Sequence, residues 1–336
     1  MKHVKLIIGL AIFLAGIILT PGCSKKSDSS SGPSGSGTIP VVVTVTYSNV
    51  LINTVDVSGN VTSDGGSTVT RRGFCSSQNN QNPTIQNDTM VSIGNGTGTF
   101  TGTVKGLKGQ ALCYIRAYAT NNNGTAYGNT FSVTTIDTTL ADIENNHYHL
   151  VQIGTQVWMA ENLRVTHYRN GDVIPYVPDP SLSWTVWHDL TTGAYCQYNA
   201  TSKIPYGLLY NFFAVADSRN LAPNGWHVPS QAEWKIMTDF LGGTTIAGGK
   251  LKETGFSHWQ NPNTGATNET GFSAFPGGQC SFTGNIGNMG ATGVWWTLTE
   301  LDASSGYSLD LNYNSSIADP GANYKTSGYS VRCVRD

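Results

Sequence analysis

Charge is scarce in this chain. Only 12% of its 336 residues are Asp, Glu, Lys or Arg, about half the share of an ordinary soluble domain. Lys and Arg number 19 against 21 Asp and Glu, so the basic surplus that neutralises phosphates is missing and nucleic acid is excluded as a partner. Beyond Thr20 no apolar run is long enough to span a bilayer. Familiar catalytic signatures are missing too: there is no HExxH, CxxC or G-x-S-x-G. The glycines from Gly94 to Gly109 lack the Lys and Ser/Thr of a phosphate loop and read as hairpin glycines. Low charge does not here mean disorder, because 39% hydrophobic and 10% aromatic content is enough to bury a sizeable core. At this length two domains are expected.

What is present begins with an address. Lys2 and Lys5 precede an apolar run from Leu6 to Leu19, which as a helix rises about 21 Å, short of the ~30 Å bilayer core. Residues 1–22 therefore read as a signal peptide. The run ends in Thr20-Pro21-Gly22-Cys23, similar to a bacterial lipobox although Thr20 stands where Leu is usual. Cys23 is the expected lipidation site; ordinary cleavage leaving a free thiol is the alternative. Residues 23–38 form a Ser/Gly-rich tether that reaches about 20–25 Å as a random coil. With the signal removed, 17 basic residues face 21 acidic ones. The expected location is exported, lipid-anchored at the outer membrane or cell surface.

Residues 39–135 are β by pattern. Val41, Val43, Val45 and Tyr47 alternate, as do Val55, Val57, Gly59 and Val61. Turn chemistry at Asp64-Gly65-Gly66, Asn82-Pro83, Gly94-Asn95-Gly96 and Asn121-Asn122-Asn123-Gly124 separates the strands, which predicts a β-sandwich. The runs "SGNVTSDGGSTVTRRGFCSS", "GTGTFTGTVKGL" and "YIRAYATNNNGTAYGNTFSVTT" resemble a fibronectin type III/immunoglobulin-like module of Bacteroidetes exoproteins. Such modules usually carry a Tyr where Cys113 stands, tying the strand to the loop that begins at Leu107. A Cys75–Cys113 disulfide is expected to replace that tie, with two buried free thiols as the alternative.

Residues 136–336 hold all eight tryptophans. "HYHLVQIGTQVWMAENL" predicts a hairpin about Gly154. A helix opens at Ser230, where SQAE spells a capping box; Trp234, Met237 and Phe240-Leu241 follow at helical spacing and Gly242-Gly243 ends it. The expected fold class is mainly β with some α: an N-terminal β-sandwich, then a loop-rich α+β domain.

"IGTQVWMAENLRVTHYRNGDVIP", "YGLLYNFFAV", "LAPNGWHVPSQAEWKIMTDFLGG", "NETGFSAFPGG", "VWWTLTE" and "GYSVRCVRD" follow in order. Together they resemble the Fibrobacter succinogenes major paralogous (FISUMP) domain of Bacteroidetes and Fibrobacteres lipoproteins. "WHVPSQAEW" with the terminal "VRCVRD" is also similar to the formylglycine-generating group, which implies a C-type-lectin-like fold. That group acts through a close cysteine pair, and Cys333 stands alone, so its activity is not implied here. The FISUMP resemblance implies a Cys196–Cys333 disulfide with Cys280 left over; Cys280–Cys333 is the alternative.

His147 and His149 share a strand face but have no third ligand at metal-site spacing, so no metal site is expected. Glu161, Asp172, Glu253, Glu269, Glu300 and Asp302 supply carboxylates, yet no spacing selects a glycosidase pair. No catalytic residue, enzyme activity or cofactor is therefore expected, Ca²⁺ excepted as an option. Trp rings stack on sugars and Asn or Glu can accept hydroxyls or ligate Ca²⁺. The expected ligand residues are Trp259, Asn263, Glu269, Trp295, Trp296 and Glu300. The sequence thus points to a non-catalytic surface binding domain for a carbohydrate or adhesion ligand. The alternatives are a structural or adhesive component acting by protein contacts, and a glycan-modifying enzyme. The expected partners are a membrane through the N-terminal lipid and a glycan or surface protein.

Overall fold

Eight strands build the first domain: β1 (Val41–Ser48), β2 (Thr54–Ser63), β3 (Arg71–Ser77), β4 (Thr89–Gly94), β5 (Gly98–Lys105), β6 (Leu112–Asn121), β7 (Gly124–Tyr127) and β8 (Phe131–Thr134). They come from a computed structural model that describes residues 37–181, 184–198 and 203–336. The signal-like segment, Cys23 and the tether as far as Ser36 lie outside the described residues. One sheet runs β1-β2-β5, the other β4-β3-β6 with β7 and β8 both on β6. This is the A-B-E against C′-C-F-G order of a fibronectin type III-like sandwich. Val55, Val57 and Val61 point inward as their alternation predicts and meet Phe74, Phe100 and Ile115. Phe74 and Phe100 pack with centroids 5.0 Å apart.

Two expectations change here. On β1 the period is right but the face is reversed. Val42 and Thr44 are buried, while Val41, Val43, Val45 and Tyr47 are exposed. Thr44 goes inward because its hydroxyl donates to Asn129 O (2.6 Å) and accepts from Ala117 N (2.9 Å). The Cys75–Cys113 disulfide is not formed; both thiols are free. Cys75 pairs with Arg116 across β3 and β6, an odd number of residues from Cys113, so the two side chains leave opposite faces of the sheet. Cys113 joins the sandwich core, whereas Cys75 Sγ donates to Pro83 O at 3.1 Å. The corner is instead tied by buried Thr135, whose hydroxyl donates to Lys108 O (2.6 Å) and accepts from Ala111 N (3.1 Å).

The second domain uses shorter strands: β9 (Thr139–Ala141), β10 (His147–Ile153), β11 (Gln156–Met159), β12 (Tyr195–Cys196), β13 (Leu209–Asn211), β14 (Trp226–His227), β15 (Gln279–Cys280), β16 (Ile286–Gly287), β17 (Thr292–Glu300), β18 (Ser305–Asn312), β19 (Ala318–Tyr324), β20 (Gly328–Tyr329) and β21 (Val334–Arg335). They form three sheets, ordered β14-β21-β11-β10-β9, β12-β13-β20-β15-β16 and β17-β18-β19. The hairpin about Gly154 is there, with Ile153 opposite Gln156. Ser230 caps a helix over Gln231–Phe240 with both capping-box bonds made, as SQAE predicts. A second helix, Thr244–Leu251, follows at once.

Strand β17 is buried on both faces. Trp295 belongs to the cluster of Trp158, Trp234 and Trp259, while Trp296 packs with Phe212 and Tyr329 in the neighbouring cluster. A polar hub sits beside Trp295. Asn162 Oδ1 accepts from Trp295 Nε1 (2.8 Å) and from Arg332 Nε (2.9 Å), and the fully buried Arg332 guanidinium also donates to Phe272 O and Ser273 O. Burial lowers the Arg332 pKa to about 9. Lys252 is buried likewise, its Nζ donating to the carbonyls of Thr264, Asn312 and Ser315 at 3.0, 2.9 and 2.7 Å. Both cations are held by carbonyl oxygens, so their hydrogen bonds are kept without a buried carboxylate.

The Cys196–Cys333 disulfide is not formed either. Cys333 lies in the main core cluster with Tyr148 and Met159, and Cys196 lies in a separate small cluster with Trp187, Leu209 and Cys280.

Candidate functional site

The tryptophans expected to bind ligand are core residues. Trp259, Trp295 and Trp296 are at most 1% exposed, and each indole N–H is already spent: on Ala274 O, Asn162 Oδ1 and Tyr210 O, all at 2.8 Å. No ring face among them is open to a sugar. Trp187 is buried as well. Asn263 is buried with a left-handed backbone (φ 46°), and its amide donates to Glu253 O and Gly255 O. Glu269 pairs with Lys250 and Glu300 with Lys325. These six residues do not converge on one cleft. The other carboxylates are spoken for locally: Glu161 by His149, Asp172 by Arg219, Glu253 by His258 and Asp302 by Ser304. Among the described residues no group of three His, Cys, Asp or Glu could hold a metal ion.

The groove with the right chemistry lies where the two domains meet. The junction itself is continuous. Ile52 enters the main core of the second domain, Ile136 N donates to Leu51 O (3.3 Å), and Gln110 N donates to Ile136 O (2.9 Å). Gln152 completes the seam: its Oε1 accepts from Asn53 N (3.2 Å) and its Nε2 donates to Thr54 Oγ1 (2.9 Å). Above this seam opens a groove of about 610 Å³. The sandwich lines it with the outward residues of β2 and β5 and the preceding loop: Asn49, Asn53, Thr54, Asp56, Thr103 and Lys105. The second domain adds the hairpin tip Gln152–Thr155, together with Ile236 and Phe240.

Each wall follows from local sequence. Asp56 and Thr103 are cross-strand partners, as are Thr54 and Lys105, so all four project from the same sheet face. Asp56 accepts from Thr103 Oγ1 (2.6 Å) and Asn49 Nδ2 (2.8 Å), which fixes its carboxylate. Ile236 and Phe240 are four residues apart and share one helix face. Both are exposed, Phe240 at 65%. Gly154 is needed beneath it: its φ is +61°, and a Cβ there would come within 3.1 Å of the Phe240 ring. The groove therefore offers one open aromatic ring, an apolar shoulder, and a floor of amides, hydroxyls, a fixed carboxylate and an ammonium. It contains neither a thiol nor a histidine, and each oxygen of its one carboxylate accepts from one protein donor. Such a set can stack on and hydrogen-bond a polyol.

Helical spacing read Phe240 as part of the inward face of its helix, so the groove was missed. The signal that could have found it is angular: Phe240 lies off the Trp234–Met237–Leu241 stripe that the structure buries. A second cleft, of about 450 Å³, lies between this helix and strands β17 and β18. Trp234 lines it, with an indole N–H that is buried and unpartnered.

These features define a class: a β-rich protein in which a fibronectin type III-like sandwich shares core and seam with a loop-rich, tryptophan-stapled domain. The chain belongs to the Fibrobacter succinogenes major domain family, whose sequence profile matches residues 151–335. No curated protein matches it in sequence. Among solved structures, it is similar to the sensor domain of the anti-sigma factor RsgI4 of Pseudobacteroides cellulosolvens at 13% identity, covering 31% of this chain and 99% of that one, with a TM-score of 0.24. It is also similar to the third fibronectin III domain of the human KIAA0343 protein at 16% identity, covering 32% and 94%, with a TM-score of 0.22.

Proposed function

We propose that this is an exported surface lipoprotein, anchored through Cys23, that binds an extracellular carbohydrate in the junction groove and does not convert it. We read the second domain as C-type-lectin-like, a scaffold suited to presenting loops rather than regular elements. The observation that carries the proposal is Phe240, an open aromatic ring seated on Gly154 and facing the polar floor of Asn49, Asn53, Asp56 and Gln152. Pockets at domain interfaces with a few convergent polar groups are common ligand sites. Sugars present an apolar face and a ring of hydroxyls, which this pairing complements.

The test is a glycan array, followed by calorimetry, on the soluble chain from residue 37 onward, with and without EDTA. A bound glycan should lose about tenfold in affinity in Phe240→Ala, the worth of one stacking contact, with Tm unchanged because the ring is exposed. Failure to bind any glycan would sink the reading, and binding that survives EDTA would remove Ca²⁺ from it.

One observation favours a second reading, adhesion by protein contacts. The outward Val41, Val43, Val45 and Tyr47 make an apolar stripe along β1, and stripes of this kind occur where sheets meet partners. Crosslinking on intact cells distinguishes it: a partner lost on Val43→Lys, with glycan binding intact, would assign the stripe to adhesion.

A further inference from the structure

We propose that Cys196 and Cys280 are joined by a disulfide in the exported protein. The sheet order β12-β13-β20-β15 puts Cys196 opposite Leu209 and Cys280 opposite Gly328. Asn211 pairs with Gly328, so strand alternation directs Cys196, Leu209, Gly328 and Cys280 to one face. In a flat sheet β12 and β15 would stand three strand spacings apart, about 14 Å. This sheet curls. Tyr198, two residues beyond Cys196, donates its hydroxyl to Gly287 O and accepts from Met289 N (2.7 Å), bringing the end of β12 directly to the end of β16.

Gly328 is what lets the curl close. A Cβ there would sit 3.0 Å from the Cys280 Cβ, 3.0 Å from the Trp187 ring and 3.5 Å from the Leu209 Cβ. The bare glycine leaves that space to its neighbours, and Cys196 and Cys280 share one small buried cluster with Trp187, Ala194 and Leu209. The remaining described cysteines are placed differently. Cys75 points to Pro83 O, Cys113 lies in the sandwich core, and Cys333 lies in the main core of the second domain. Two cysteines on one face of a curled sheet and in one buried cluster are the pair that a short covalent link can join.

The chemistry needs an oxidant, and the inference rests on the export reading to supply one: a disulfide-bearing oxidoreductase or oxidised glutathione. The Cys196 thiolate attacks a sulfur of that disulfide, forming a mixed disulfide and releasing one thiol. The Cys280 thiolate then attacks the Cys196 sulfur, closing the protein bond and releasing the second thiol. Two protein thiols lose two electrons and two protons, and the oxidant is reduced to two thiols. Both side chains are fully buried, and burial with the neighbouring thiol pushes the Cys196 pKa well up. A thiolate is therefore scarce once the fold has closed, and oxidation has to precede closure of the curl.

The experiment refolds the full chain from denaturant in a mixture of oxidised and reduced glutathione, blocks free thiols, and maps peptides without reduction. The expected result is one Cys196–Cys280 crosslink, with Cys75, Cys113 and Cys333 blocked as free thiols after unfolding. Reduction should then lower Tm by about 5–15 °C. In Cys280→Ala, Cys196 should label as a free thiol. A Cys196–Cys333 or Cys280–Cys333 crosslink, or a refolded chain with both thiols free, would overturn the pairing. A crosslink that forms on refolding but is missing from protein isolated from cells would overturn the export reading instead.

Discussion

Asp310 offers a sharp test of the electrostatics of the second domain. It sits on β18 directly opposite Asp319 on β19, accepts from Ser308 Oγ at 2.7 Å, and faces Gly321, where a Cβ would come within 3.1 Å of both its oxygens. Burial, with the Asp319 charge adding to it and the Ser308 bond opposing it, pushes its pKa up to about 6. In the unfolded chain it titrates near 3.9. Between those values the folded state holds the extra proton, so stability falls as pH rises from about 4 to about 6, and the penalty is complete above that. The shift of about two pK units corresponds to at most about 3 kcal/mol, and about 2 kcal/mol once the partial exposure of the carboxylate is allowed for. Asp310→Asn keeps an oxygen to accept from Ser308 and removes the charge. It should stabilise the protein by about 2 kcal/mol at pH 7.5, roughly 4–8 °C in Tm, and by almost nothing at pH 4. Urea unfolding at both pH values, read by tryptophan fluorescence, measures this. A variant no more stable than the parent at pH 7.5, or one equally stabilised at pH 4, refutes the reasoning.

Arg332→Ala should cost about 3–5 kcal/mol, because it empties a buried site and strands the Phe272 and Ser273 carbonyls. Lys235→Ala, which removes an exposed ion pair with Asp239 of 2.6 Å, should change stability by less than about 0.5 kcal/mol in the same urea assay. Cys23→Ser should move the protein from the membrane fraction to the soluble fraction of cells; retention at the membrane would remove the lipid anchor from the account.

The architecture was largely legible in the sequence, because alternation, turn residues and the SQAE cap are local signals. The sandwich, the Gly154 hairpin and the capped helix each follow from them. Local signals carry a period, but the inward face is set by tertiary partners. This is why β1 is turned over: the Ala117 amide and the Asn129 carbonyl that draw Thr44 inward lie more than 70 residues away. The same limit applied to the cysteines. Which thiols meet depends on strand register and on the curl at Gly328, neither of which is written in cysteine spacing. The tryptophans misled for a related reason. The stacking chemistry of indoles suggested open rings at Trp259, Trp295 and Trp296, whereas a domain short of regular structure spends its indoles internally, two of these N–H groups on backbone carbonyls. The groove was not read from the sequence, since half of it comes from each domain and Phe240 was grouped with the inward residues of its helix.

The burial of Ile52 bears on how such a domain could be exchanged during evolution. A module that shuffles freely should carry its whole core with it, yet here a side chain from the sandwich fills a place among Tyr148 and its neighbours, outside the 151–335 span that defines the family. A relative with a different N-terminal partner must supply its own plug at that place, or close the gap by repacking. The seam is therefore a constraint on recombination, and the residue that fills the Ile52 position should vary with whatever precedes the family domain.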